Sequence, residues 1–380
     1  MTELDIKSPH RTADVRTVTF AQGQAQSFIK EMKSRVHAYF EETGLSQKAN
    51  AQMVLKTVVM FSMVAVPYLL IMTNRLSPWV MLGLCVVMGV GFAGCGFCIA
   101  HDALHGAYSS NRNVNVALGL AFDLSGASSY MWKITHNVIH HTYTNIQGID
   151  EDLEVSPLLR LSPTSEHHPI HRYQHLYVFA AYSMTTLFWV FAKDFIYLLR
   201  RNLGPYRNIV HPKGEIAKLF VMKAIYYSYM IVIPLLFLDV AWWQFLIGFL
   251  GMHLTSGLIL SLIFQLAHVV EGPVQFAVES QETMEDAWFV HEMKTTANFA
   301  RSNKLLCWYV AGLNFQIEHH LFPKVCSVHY PAICHIVQEV AEEYGVPYHD
   351  HPTFLGAIRS HWRTLKLFGD PHAAPFAAGT

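Results

Sequence analysis

Charge is scarce in this 380-residue chain: 14% of its residues are Asp, Glu, Lys or Arg, against about 25% in soluble domains. The signs also balance, 27 basic against 28 acidic, which leaves no clustered basic excess for a nucleic-acid surface. The six cysteines, Cys85, Cys95, Cys98, Cys307, Cys326 and Cys334, follow no regular spacing, so a disulfide framework is excluded. Cys95-Gly-Phe-Cys98 has the spacing of a redox pair. It closes a membrane-length apolar run with no βαβ pattern around it, though, and small residues there serve helix packing. The first 50 residues are polar and mixed in charge, unlike a signal peptide. No glycine fingerprint for a nucleotide is visible. Collagen, coiled coil and intrinsic disorder are excluded by the same composition.

Two things are abundant. Hydrophobic residues make up 52% of the chain and mean hydropathy is +0.23, more than one water-soluble core needs. Histidine numbers 23, nearly as many as lysine and arginine together. The pair points to an integral membrane protein with a demand for imidazole.

A hydrocarbon core of ~30 Å takes about 20 apolar residues as helix. Four stretches qualify, 54–72, 79–99, 219–238 and 242–264, and short turns join them as two hairpins. Lys/Arg number eight in residues 1–56, ten in 100–218 and seven in 265–380. The hairpin turns hold Arg75 alone, so the three long regions are expected on the cytoplasmic side. Residues 175–199 are apolar enough for a fifth span, but a fifth crossing would separate the histidine groups. A helix lying in the interface is expected there instead. The domain expectation is a cytosolic segment 1–50, a membrane domain 51–350 and a tail 351–380.

The histidines are grouped. His101-Asp-Ala-Leu-His105 ends the second span, His136-Asn-Val-Ile-His140-His141 follows, and Gln316-Ile-Glu-His319-His320 comes late. His268 stands just past the fourth span. Residues four apart share a helix face, so 101/105, 136/140 and 316/320 are each expected to present two side chains to one point. His141 and His319 then point aside, toward a second metal ion. Ionisable groups at bilayer borders are functional by default. His167, His168, His171 and His175 also show four-residue spacings, but Pro163 and Pro169 break the helix that a shared face needs.

The three boxes, the fourth histidine and their flanks (Trp132-Lys-Ile-Thr-His136, His141-Thr-Tyr-Thr-Asn145, His171-Arg-Tyr-Gln-His175, Asn314-Phe-Gln-Ile-Glu-His-His-Leu-Phe-Pro323) resemble the membrane fatty acid desaturase family over about residues 50–350. A third box opening with Gln resembles the front-end (delta-5/delta-6, linoleoyl-CoA desaturase-like) branch. The resemblance implies an all-α membrane protein: four transmembrane helices under a cytosolic helical cap that holds two iron ions, with O₂ as co-substrate. It implies His101, His105, His136, His140, His141, His268, His319 and His320 as ligands, with Gln316 as a ninth candidate. Imidazole alone suits several metals; the resemblance selects iron.

An all-histidine centre calls for carboxylates that offset its charge and orient the rings. Asp102, Glu318, Asp150 and Asp152 are the candidates by proximity. Trp132, Tyr130, Met131, Phe315 and Phe322 flank the boxes and are candidates to line an acyl tunnel. The substrate is expected as a fatty acyl-CoA or an acyl-lipid. No fused His-Pro-Gly-Gly haem motif is found, so electrons are expected from a separate b-type cytochrome, or from a ferredoxin with its NAD(P)H reductase. A sphingolipid desaturase or lipid hydroxylase is the alternative within the superfamily, and a histidine-rich metal transporter the alternative outside it.

Overall fold

The computed structural model describes residues 18–21, 25–153, 156–277 and 283–373. It is almost wholly helical, with three two-stranded ladders as the sheet among the described residues. Four helices are long and apolar enough to cross a membrane: Ala51–Met72, Pro78–Leu104, Lys213–Phe237 and Trp242–His268. These match the four expected spans and extend the second and fourth to the histidines.

The four helices have outward faces that water would not tolerate. Leu55, Val58, Leu69, Phe220, Val221, Leu235 and Leu236 are all exposed, a continuous apolar surface suited to lipid. Trp79, Trp242 and Trp243 stand exposed where the hairpin turns meet the spans, the usual place of interfacial tryptophan. The two turns also touch. Asn74, in the left-handed region at φ 58°, donates from Nδ2 to the Phe237 carbonyl (2.7 Å) and accepts from the Asp239 amide (2.9 Å). Both hairpins therefore turn at one end of the bundle, and the histidine boxes sit at the other.

The second span packs between the first and the fourth. Small residues permit the approach: a Cβ on Gly89 would lie 2.4 Å from the Met252 carbonyl oxygen, and one on Gly91 2.9 Å from the Met63 Cβ. Residues around 175–199 form a bent pair, Pro169–Ser183 and Thr185–Leu199, meeting at 58°. It packs along the fourth span. Lys223 of the third span fixes the bend's second arm. Its Nζ donates to the carbonyls of Trp189 (2.8 Å) and Val190 (3.0 Å), and pairs with Asp194 at 2.8 Å.

Over the histidine end lies a cap of short helices. Helix Gln26–Thr43 buries Phe28, Met32, Val36 and Phe40, one residue per turn, against Tyr330–Glu343. Arg35 adds a bidentate pair to Glu343 (2.7 and 2.5 Å). The region expected as a tail is helical over Phe354–Phe368. It is amphipathic and buries Ala357, His361, Leu365 and Phe368 against the bent pair and the fourth span. Its period of apolar residues, not its distance from the boxes, decides its structure.

Candidate metal centre

Four elements deliver these histidines, two of them with locally widened helix. The second span passes into a π-helical stretch at Gly96–His101, which ends on His101. Lys133–His140 is π-helical too and carries His136 and His140. Such insertions concentrate at functional sites. The third box is the short helix Gln316–Leu321, and the fourth span ends on His268.

The side chains converge in two groups. His101, His105, His136 and His319 place one ring nitrogen each within 4.8 Å of one another, and so do His140, His268 and His320. Within the first, the Nε2 atoms of His101 and His319 stand 3.2 Å apart. His141 touches both groups, its ring 4.5 Å from that of His319 and 4.4 Å from that of His320. All eight histidines expected as ligands therefore meet. His319 and His320 go to different groups, as expected, and His136 and His140 also divide between the two, though one atom each of His136, His140 and Asp152 lie within 4.8 Å of one another as well.

Hydrogen bonds fix which nitrogen each ring offers. Nδ1 of His140 donates to Asp150 (3.0 Å), that of His136 to Asp152 (3.2 Å) and that of His320 to Glu292 (2.7 Å). His101 faces Asp102 at 3.3 Å, His268 donates to the Thr295 carbonyl at 3.1 Å, and His319 faces the Tyr330 hydroxyl at 3.3 Å. In each ring the proton belongs on Nδ1, and the Nε2 lone pair is left for a metal. Nε2 of His105, His136 and His320, and both nitrogens of His141, are buried with no hydrogen-bond partner. Burying unpaired acceptors is costly, and metal ligation is what would satisfy them. The donor set fits a pair of metal ions.

Electrostatics agree with neutral ligands. Burial, together with neighbouring imidazoles, holds His105, His136, His141, His319 and His320 well below the ordinary histidine range. His140 is the exception. Burial opposes its protonation, but Asp150 against its Nδ1, with Asp152 and Glu292, outweighs that and raises it to about 9.

Two expected partners lie elsewhere. Glu318 points away from every box histidine: its carboxylate accepts from Asn298 Nδ2 (2.8 Å) and Tyr348 OH (2.9 Å). It is sandwiched between ligands in sequence, but the helix turns it to the opposite face. Gln316 donates from Nε2 to the Leu313 carbonyl (2.5 Å), which ties it to the preceding turn. Asp102 bonds His101 with one oxygen, and with the other accepts from Ser327 N and Oγ (2.9 and 2.8 Å).

Glu292 was not among the expected residues. It is buried, accepts from Thr144 Oγ1 at 2.8 Å and orients His320. The only signal in the sequence is an acidic residue set between Phe289-Val290 and Met293. Asn145, in the left-handed region at φ 58°, donates from Nδ2 to the carbonyls of His268, Val274 and Thr295. It thereby fixes the end of the fourth span. The second histidine set is structural: His171 Nδ1 accepts from the His168 amide, its Nε2 meets the Pro157 carbonyl, and His167 meets Gly369.

Beside the metal groups opens a cavity lined by Trp132, His136, His140, Asp152, Lys193 and His268 among others. Trp132 stacks on His136 with ring centroids 4.4 Å apart. It alone of the five expected tunnel residues lines this cavity. Tyr130 bonds His211 (3.0 Å), Met131 packs with Ile134 and Tyr197, and Phe315 and Phe322 belong to the cap core.

Residues 77–352 match the family model described as fatty acid desaturase. The chain belongs to the fatty acid desaturase family. It is similar to an sn-1 linoleoyl-lipid 6-desaturase of Arthrospira platensis, 38% identical over 93% of this chain and 95% of that one. A protein of the same description from Synechocystis sp. is 37% identical over 91% and 96%. An acyl-lipid (8-3)-desaturase of Physcomitrium patens is 33% identical over 93% and 74%. The chain is therefore an oxidoreductase that desaturates acyl chains, as its histidine boxes lead one to expect, and its histidine groups could hold metal ions.

Proposed function

We propose that this desaturase acts on acyl chains esterified in membrane lipids and inserts a cis double bond between an existing one and the carboxyl end. The lipid-linked substrate and the front-end position are supported by the descriptions of the most similar relatives, linoleoyl-lipid 6-desaturases and an acyl-lipid (8-3)-desaturase. The observation that carries the chemistry is the pair of histidine groups, with their unpartnered Nε2 atoms, on the wall of one cavity. Two irons held there by His101, His105, His136, His140, His141, His268, His319 and His320 would supply the O₂-derived oxidant that an unactivated methylene requires.

The chain's own residues do the rest. Asp150, Asp152 and Glu292 hold ring protons at Nδ1 and offset the charge of the metal pair. Trp132 clamps His136 and presents an apolar edge to the substrate. The surrounding helices keep bulk water from the ligands, seven of which are 6% exposed or less. The centre belongs on the cytoplasmic side. In support, the described parts of the Lys/Arg-rich segments lie at its end of the bundle, and the hairpin turns at the other are tied together by Asn74. Electrons come from a separate redox protein, in keeping with the missing haem and nucleotide motifs.

The test is expression in a host supplied with defined fatty acids, with double bonds located by mass spectrometry in separated lipid and acyl-CoA pools. New cis bonds on the carboxyl side of an existing one, appearing first in lipids, are expected. Products appearing first as acyl-CoA would refute the lipid substrate, and hydroxylated products would refute desaturation as the outcome. Metal analysis of the purified protein should give two irons per chain.

A further inference from the structure

The C-terminal helix Phe354–Phe368 carries no acidic residue, and its two faces do different things. The inner face pins it at the height where the fourth span ends. His361 donates from Nδ1 to the Val269 carbonyl (2.6 Å) and accepts the Tyr182 hydroxyl on Nε2 (2.9 Å). Ser360 Oγ accepts from the Glu271 amide (2.8 Å), and the Leu365 carbonyl accepts from Gln174 Nε2 (2.8 Å). Val269 and Glu271 follow directly on His268, the last residue of the span, so the helix lies at the bilayer border.

The outer face is a stripe. At about 100° per residue, Leu355, Arg359, Trp362, Arg363 and Lys366 share one narrow face, and all but the half-buried Trp362 are exposed. Arg363 reaches Glu271 only at 3.8 Å, with both side chains 49% exposed. Arg359 and Lys366 make no ion pair among the described residues. Lys366 lies over the Trp362 ring at 5.5 Å, and Trp362 meets His175 edge-on at 4.9 Å. His175 belongs to the first arm of the bent pair, where Ile170, Tyr173 and Leu176 are exposed beside an exposed Arg172. Exposed apolar side chains continue along the pair at Met184, Phe188 and Phe191. Cations interleaved with Trp, Tyr and Leu, at the edge of a surface suited to lipid, make a patch for the headgroup layer.

We infer that this patch binds anionic phospholipids, with Arg359, Arg363, Lys366 and Arg172 on the phosphates and Leu355, Trp362, Tyr173 and Leu176 among the groups beneath them. The inference rests on the four long helices crossing a bilayer and not on the reaction. Guanidinium suits phosphate because its donors form a planar fork. An acidic soluble protein would also be drawn to the cations, but the apolar side chains between them, continuous with the lipid-facing arm, favour the membrane. Since the inner face holds Val269 and Glu271, a lipid on the outer face braces the turn that follows His268.

The experiment uses the full chain in mild detergent, mixed with labelled phosphatidylglycerol or phosphatidylcholine, with retained lipid counted after gel filtration. Wild type should prefer phosphatidylglycerol and lose the preference in high salt. Each basic residue close to an anionic surface contributes a factor of about five. The triple variant Arg359→Gln, Arg363→Gln, Lys366→Gln should therefore cut the preference by about tenfold or more, and Arg172→Gln alone by about 2- to 5-fold. Only exposed side chains change, so elution and unfolding temperature in phosphatidylcholine should match wild type. Lys30→Gln with Lys33→Gln, which removes two exposed cations from Gln26–Thr43, should leave the preference as it is. An undiminished preference in the triple variant would overturn the inference. So would an equal loss in the Lys30, Lys33 variant, which would make the attraction a matter of net charge. If the triple variant keeps its preference but turns over more slowly with a reduced redox carrier, the patch belongs to the carrier and the inference fails.

Discussion

Glu292 offers a sharp test of the metal centre, because it touches one histidine group and not the other. Its Oε2 accepts the Nδ1 proton of His320 at 2.7 Å and the Thr144 hydroxyl at 2.8 Å. Glu292→Ala removes both acceptors. The single Thr144 hydroxyl hydrogen can turn to the His140 carbonyl (2.7 Å), so the principal loss falls on His320, whose ring is then free to rotate or change tautomer. Removing such a partner typically costs 10- to 100-fold in metal affinity, about 1.4–2.7 kcal/mol. The loss should be confined to the group of His140, His268 and His320. Chelator titration of purified protein, followed by metal analysis, should show one equivalent leaving at a chelator concentration about 10- to 100-fold lower than in wild type, while the other leaves as before. Glu292→Gln keeps an acceptor without the charge and should fall between. Glu318→Gln is the control: equally buried, far closer to His320 in sequence, and bonded to Asn298 and Tyr348, it should leave both equivalents in place. If Glu292→Ala holds both metals as tightly as wild type, the assignment of Glu292 as the residue that orients His320 is wrong.

Four further outcomes are expected. His268→Ala should lose one metal equivalent and all product; retained activity would remove His268 from the ligand set. Purified protein given O₂ and NADPH alone should not turn over, and turnover should appear on adding a ferredoxin or b-type cytochrome with its reductase; product without a carrier would contradict the need for one. Cysteines introduced at the exposed Glu166 and Lys213 should be labelled by an impermeant reagent from the same side; opposite-side labelling would mean the bent pair crosses the bilayer. Gln316→Ala should keep both metals and lower stability by about 1 kcal/mol, the scale of one lost buried hydrogen bond, checked by thermal unfolding beside metal analysis.

The spans and the eight histidines were legible because each obeys a local rule: twenty apolar residues per crossing, four residues per shared face. Legibility stopped where a local rule met a local exception. The π-helical backbone of Lys133–His140, which carries His136 and His140, is announced by no residue type there. Glu318 lies between Ile317 and His319 and reads as a ring partner, yet adjacent helical residues diverge by ~100°, and its carboxylate lands on Tyr348. Glu292 reaches His320 across 28 residues of chain, a contact made by tertiary packing alone.

The partners of the two histidine groups are unequal, and the inequality has a chemical consequence. The group of His140, His268 and His320 has three imidazoles, and two of them bond fully buried carboxylates, Asp150 and Glu292. The group of His101, His105, His136 and His319 has four. Its ring partners are the longer contact to Asp102, the half-buried Asp152 and the neutral Tyr330 hydroxyl. A buried anion stabilises positive charge more than a hydroxyl or a solvent-screened one does, so a cation at the three-histidine group is better compensated. That group also has fewer protein donors, which leaves its metal more positions for other ligands, and both His140 and His268 line the substrate cavity. His141, in contact with both groups and with neither nitrogen bonded, is the side chain able to even the count. His141→Ala should therefore weaken the three-histidine group most if its ring serves that group, and the order in which the two metals leave under chelator identifies which it serves.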